Sequence, residues 1–265
     1  MKRLLALLFV LCSSLLCGAP PRTFLLSYPR SGNTWMRFCL EMLTRRPTYA
    51  YHADPADMRP YSLPIGLYVN LDTDLSLPPI WKVHSQQRME ESGGFDKNQD
   101  YLILLVRNYK ECLIRDLRRM KTVWEALSAP HFLYLENLKL YDIWNVDRKI
   151  LIYYEDFLLH PRETLERLLL FLNESLDPLD PFFDQFEMHR HNSLTFYQAY
   201  IGPSLSQGEN LHFHSNSLSP KIRIAMDQQV QSKEPELFYT YLTRYSEPKI
   251  NILLVEPGSF PYDLE

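Results

Sequence analysis

One stretch near the start of the chain carries residue types suited to gripping an anion: Ser27-Tyr28-Pro29-Arg30-Ser31-Gly32-Asn33-Thr34-Trp35. The apolar run before it, residues 23–28, reads as a short buried strand. The residues after it, 33–44, carry apolar side chains at helical spacing. A strand therefore bends tightly into a helix. The first-turn N–H groups of that helix lack intrahelical partners, and the helix dipole is positive there. Such a terminus favours an anion. Ser31, Asn33 and Thr34 add side-chain donors, and Arg30 adds a planar fork that fits phosphate or sulfate. Gly32 lets the backbone approach a ligand, and Trp35 offers a flat face to a purine ring. The pattern reads as a nucleotide phosphate cradle. It is not the GxxxxGK[ST] loop, because it has one Gly and an Arg where Lys stands in that loop. The alternative is an ordinary Ser/Asn helix cap beside a surface Arg.

The elements that must position this turn follow from the rest of the chain. Residues 80–84 read as a strand. Residues 101–106 (YLILLV) give the strongest strand signal, apolar on both faces and so central and parallel. Residues 149–154 (KILIYY) form another buried strand. Residues 109–146 read as mostly helical with a break near Pro130, and 162–172 as a helix opened by Pro161. Further helices are predicted over 220–231 and 235–244. Residues 45–78 read as irregular and 189–217 as an ordered polar loop. Strands alternating with helices predict a mostly parallel sheet covered on both faces, in one domain over 20–265.

Composition narrows the function. The chain has 265 residues, 46% hydrophobic and 23% charged, so it can build a core. A net charge of −4 argues against bulk electrostatic binding to nucleic acid or an anionic membrane. The four Cys (12, 17, 39, 112) show neither zinc spacing nor a disulfide ladder. Lys2 and Arg3 precede an uncharged apolar run over residues 4–19. This reads as a signal peptide or short signal anchor, with a buried first element as the alternative. The chain is thus expected to face an exported or secretory-lumen space, with membrane contact only through an anchor. It is cytoplasmic if that segment is not a signal.

The run YPRSGNTW resembles the 5′-phosphosulfate loop of sulfotransferases that use 3′-phosphoadenosine 5′-phosphosulfate (PAPS). Three more segments extend the resemblance in the family's order. Trp81-Lys82-Val83-His84 is similar to the segment carrying the catalytic His. Residues 104–111 (LLVRNYKE) are similar to the strand and turn that hold the 3′-phosphate. Residues 151–156 (LIYYED) are similar to the element near the adenine. The resemblance implies a P-loop NTPase-like three-layer sandwich with a central parallel sheet. It also implies sulfuryl transfer from PAPS to a hydroxyl or amine, leaving 3′-phosphoadenosine 5′-phosphate (PAP). On this reading Arg30 stabilises the leaving phosphate, Lys82 the sulfuryl oxygens, and His84 removes the acceptor proton. Arg30, Ser31, Gly32, Asn33, Thr34 and Trp35 hold the 5′ end and adenine; Tyr154 lies near the adenine; Arg107 with Arg115 holds the 3′-phosphate. No metal is required.

The chain departs from the family at several points. The loop Lys is Arg30 here, which keeps the charge but will not donate a proton. Arg115 stands where the family has Ser. It either holds the 3′-phosphate or pairs with Glu111 at i, i+4 spacing. The late Arg-Lys-Gly element is not visible; residues 205–208 stand near its place. Two other readings use the same cradle: a non-catalytic sulfotransferase-like binding protein, and a nucleotide kinase or NTPase. The expected partner is a small-molecule, glycan or peptide acceptor.

Overall fold

The computed structural model describes residues 20–50, 73–116, 123–129, 131–201, 215 and 218–247. Five strands form the sheet: β1 Thr23–Ser27, β2 Thr48–Ala50, β3 Ile80–Val83, β4 Tyr101–Val106 and β5 Lys149–Tyr153. Their spatial order is β2-β3-β1-β4-β5, and every pairing is parallel. The interleaved helices are α1 Asn33–Thr44, α2 Gln86–Glu91, α3 Tyr109–Asp116, α4 Val123–Ser128, α5 Leu133–Asp142, α6 Tyr154–Leu159, α7 Pro161–Leu172, α8 Leu179–Asp184, α9 Phe186–Ile201 and α10 Pro220–Lys233. The short helix α11 Pro235–Leu237 leads into a π turn at Phe238–Leu242 and a 3₁₀ turn at Thr243–Tyr245.

The alternation of side chains along the strands explains the layering. Phe24 and Leu26 of β1, with Leu102, Leu104 and Val106 of β4, pack on one face against Leu127, Leu135, Leu138, Met226 and Val230. Leu25 of β1, with Ile103 and Leu105 of β4, packs on the other against Phe38, Leu40, Phe157, Leu165 and Leu168. Both faces are covered, so β4 and the middle of β1, Phe24–Leu26, are apolar. That is why residues 101–106 read without alternation. β1 stands at the middle of the sheet, with β4 beside it.

Helix boundaries follow local chemistry. Gly32 precedes α1 in the left-handed region, at φ 90°. Pro161 opens α7, whose buried face is Thr164, Leu165, Leu168, Leu169 and Leu172. Ser219 caps α10 by accepting a hydrogen bond from the Ile222 N–H.

Two sequence expectations change. Residues 186–201 form α9, so the loop reading of 189–217 is wrong over its first part. His, Asn and Ser are modest helix formers and the apolar period there is weak. Packing decides instead: the His189 ring stacks on Phe182 at 4.8 Å and 6°. Residues 45–78, read as irregular, include β2 on the sheet edge. Residues 1–19 and 205–208, singled out above, lie outside the described residues.

Candidate active site

The register of the sheet brings the four motifs to one edge. Leu26 of β1 lies opposite Val83 of β3, and Ser27 lies opposite Leu105 of β4. Val106 of β4 lies opposite Tyr153 of β5. His84, Arg107 and Tyr154 each follow the last residue of a strand. They therefore line up at the carboxyl ends, beside the turn that leaves β1. The chain winds to one side after β1 and to the other after β3, so β1 marks the switch in direction where ligands bind in open α/β sheets.

The turn itself is built under constraint. Arg30 and Gly32 both have left-handed backbones, at φ 68° and 90°. A Cβ on Gly32 would sit 2.0 Å from Tyr154 Cε2. Only Gly fits there, on both conformational and steric grounds. The Ser31 N–H donates to the Tyr28 carbonyl at 3.2 Å, closing the turn. Ser31 is buried, and its hydroxyl lies 3.5 Å from Cys112 Sγ. Burial pushes that thiol up to about 12, so the contact is between two neutral groups. Asn33 Nδ2 donates to Ser27 Oγ at 3.3 Å, and Thr34 lies in the first turn of α1.

His84 is fixed from two sides. Its Nδ1 lies 2.6 Å from the Ser27 carbonyl oxygen, and Asn137 Nδ2 donates to the His84 carbonyl at 3.0 Å. A carbonyl only accepts, so Nδ1 carries a proton and Nε2 presents the lone pair in the neutral ring. Lys82 Nζ lies 2.6 Å from that Nε2. Lys82 is 5% exposed.

Arg107 joins this edge to the turn. Its Nη1 donates to the Arg30 carbonyl at 3.2 Å, and its guanidinium lies over the Tyr154 ring at 4.6 Å. Tyr134 donates its hydroxyl proton to the Arg107 carbonyl at 2.6 Å. Arg107 is 3% exposed, yet its Nε is a buried donor with no hydrogen-bond partner among the described residues. A buried guanidinium N–H of this kind needs an anion or water. Burial pushes the Tyr154 phenol up, opposed by the guanidiniums of Arg107, Arg115 and Arg190.

Glu111 organises the other side of Arg107. It is fully buried and 3.6 Å from Arg107 Nη2. It accepts a hydrogen bond from Arg115 Nε and another from the Ser215 N–H at 2.9 Å. Burial alone would push this carboxyl up. The Ser215 N–H and the Arg115 and Arg107 guanidiniums outweigh it and hold the group below its usual range. The i, i+4 pair of Glu111 with Arg115 is therefore formed, and Arg115 stands next to Arg107 through a shared carboxylate.

Trp35 departs from its expected setting. It is 7% exposed, and its ring stacks with Phe38 at 5.6 Å and Phe157 at 6.1 Å. The flat face read from the sequence is largely taken by the core, which leaves its rim for any purine contact.

Some participants were not legible in advance. The Ser27 carbonyl and Asn137 reach His84 through sheet register and α5 packing. Arg190 comes from α9, the helix missed in the sequence. Tyr109 and Lys110, inside the third motif, turn away from the site. The Tyr109 hydroxyl donates to Asp227, and Lys110 Nζ lies 2.8 Å from Asp227 and 2.6 Å from the Tyr245 carbonyl.

No family model and no curated protein matches the sequence at a significant level. Solved structures do match in shape. A retinol dehydratase crystallised with retinol and PAP aligns at a TM-score of 0.55 and 11% identity, over 83% of each chain. A mouse sulfotransferase complexed with PAP aligns at 0.52 and 15% identity, over 83% of this chain and 86% of that one. The sulfotransferase domain of the Synechococcus PCC 7002 olefin synthase aligns at 0.50 and 16%, over 82% of this chain and 96% of that one. The fold is that of the sulfotransferases. The five-stranded, all-parallel sheet with helices on both faces matches it. At these identities the likeness concerns the fold, and the chemistry must be argued from the residues.

Proposed function

We propose that this protein transfers a sulfuryl group from PAPS to a hydroxyl or amine, leaving PAP. The observation that carries the reading is the direct bonding between the motifs: His84 to the Ser27 carbonyl before the turn, and Arg107 to the Arg30 carbonyl within it. Two candidate anion sites, the α1 terminus and the Arg107 guanidinium, are thereby held at a fixed offset. A nucleotide with anionic groups on both its 5′ and 3′ positions fits that demand. Arg107 Nε, with no hydrogen-bond partner among the described residues, supports an anion on the second site. The fold neighbours holding PAP support the same ligand class.

In this reading Arg30 and the N–H groups at the start of α1 hold the 5′-phosphate, with Ser31, Gly32, Asn33 and Thr34 shaping the turn. Arg107, steadied by Glu111 and flanked by Arg115, holds the 3′-phosphate. Tyr154 and the rim of Trp35 border the purine. PAPS brings the activated sulfuryl group; the protein supplies position and charge. Arg30 neutralises charge growing on the leaving phosphate oxygen. Lys82 is placed for the sulfuryl oxygens. His84 Nε2, its lone pair fixed by the Ser27 carbonyl, takes the acceptor proton as the new S–O bond forms and the bond to the phosphate breaks. The acceptor is a small molecule, a glycan or a peptide side chain. The neighbour that holds retinol beside PAP supports a small hydroxylated molecule.

The test is transfer of ³⁵S from labelled PAPS to a panel of phenol, steroid, glycan and tyrosyl-peptide acceptors. A labelled product formed by the wild type and lost in His84→Ala supports the proposal. No labelled product from any acceptor class, with a folded protein, rejects it.

A further inference from the structure

The contact between Lys82 and His84 has a consequence for the order of events, resting on the sulfuryl-transfer reading above. A base needs its lone pair open toward the acceptor. Here the Nε2 lone pair of His84 points at the Lys82 ammonium, 2.6 Å away. An ammonium has three donors and no acceptor, so Lys82 is the donor and the lone pair is occupied. In this arrangement His84 cannot take a proton from anything else.

We propose that Lys82 caps the base in the resting protein and that the sulfuryl oxygens of a bound donor nucleotide draw the cap away. Three observations make the lysine the moving part. His84 is tied at both ends, through Nδ1 to the Ser27 carbonyl at 2.6 Å and through its own carbonyl to Asn137 at 3.0 Å. Lys82 carries its charge on a flexible four-carbon stem. Lys82 is also only 5% exposed, so little water competes for its ammonium. A swing from a neutral imidazole to anionic oxygens exchanges a weaker acceptor for stronger, charge-assisted ones. Lys82 and His84 stand two residues apart at the end of β3, on one face, so a short rotation of the stem suffices.

The swap is specific to the transferable group. PAP has no sulfuryl oxygens and leaves the cap in place, whereas PAPS removes it. The base is then bared only when there is something to transfer. The cap involves no bond making: one hydrogen bond to Nε2 is lost, hydrogen bonds to sulfuryl oxygens are gained, and the ammonium keeps its protons.

The contact is read directly by ¹⁵N NMR of the histidine rings, with the His84 signal assigned from the spectrum of His84→Gln. Calorimetry runs in parallel to establish that each nucleotide binds. In the free protein, the Nε2 signals of wild type and Lys82→Met are expected to differ, because only the wild type carries the cap. PAP is expected to bind and leave the wild-type signal in place. PAPS is expected to bind and move it to the uncapped position of Lys82→Met. The wild-type comparison of PAP with PAPS uses no variant and holds even where Lys82→Met fails to fold. Identical signals in free wild type and folded Lys82→Met would overturn the inference. So would PAPS binding that leaves the signal unmoved. Absence of binding by both nucleotides rejects the sulfuryl-transfer reading itself, and the cap's release with it.

Discussion

Gly32 and His84 carry the account at the residue scale. Gly32 holds a left-handed backbone with the Tyr154 ring against it. Gly32→Ala combines backbone strain with a clash, each worth about 1–3 kcal/mol. We expect a loss of about 3 kcal/mol, read as a lower urea midpoint at an unchanged slope; an unchanged midpoint would mean that the turn is not tightly packed. His84→Ala should lower turnover by about 10²–10⁴-fold, the usual worth of a general base, with PAP affinity unaltered. Equal turnover in wild type and variant would remove His84 from the chemistry. These residues were legible because their type and spacing carry the signal: one Gly between strand and helix, and a Lys and His two apart on a strand. The partners of His84 were not, since a backbone carbonyl on the neighbouring strand is chosen by register rather than by residue type. The alternatives left open at Arg115 are resolved as far as its contact with Glu111 goes.

At the scale of elements, α3 follows the β4 turn that carries Arg107 and is held from several directions. Glu155 of α6 accepts the Asn108 N–H at 3.0 Å and the Tyr245 hydroxyl at 2.6 Å. Asp227 of α10 pairs with Lys110 at 2.8 Å and accepts from Tyr109 and from the Glu247 N–H. In Asp227→Ala the fully buried Lys110 falls back on Glu247 at 3.6 Å and the Tyr245 carbonyl, so the cost stays below the ~3–5 kcal/mol of a wholly unpaired buried charge. A clearly lowered thermal midpoint is the expected reading; an unchanged one would show that α3 is not clamped by α10. Glu111 gives α3 a pH dependence. Its folded-state value lies below the reference of 4.5, so its contribution is present above that pH. The contribution is lost as pH falls through the depressed folded value. Stability measured between neutral pH and acid should therefore decline less steeply below 4.5 in Glu111→Gln than in the wild type. Parallel acid limbs would contradict the ion-paired state. None of the C-terminal partners was visible in the motif, because they lie over a hundred positions downstream. The α9 helix was missed because its apolar period is weak; His189 packs its ring on Phe182 of α8.

For the whole molecule, the parallel sheet was legible because strands buried on both faces read as continuous apolar runs. The order of those strands was not, since apolar runs fix which segments are strands but not which are neighbours. That order matters for function. It puts β1 between β3 and β4, and so sets the turn, His84 and Arg107 side by side. A ligand spanning them should stabilise the entire fold. At a concentration about 100 times its dissociation constant, PAP adds about 2.7 kcal/mol, which for a chain of this size raises the thermal midpoint by about 5–10 °C. The most direct measurement is calorimetric titration of the folded protein with PAP and, separately, with adenosine 5′-monophosphate, which lacks the 3′-phosphate. The account predicts one saturable PAP site, with Arg107→Ala and the loss of the 3′-phosphate each weakening binding by about 10- to 100-fold. No heat of binding with PAP, or equal affinity for the two nucleotides, would contradict it.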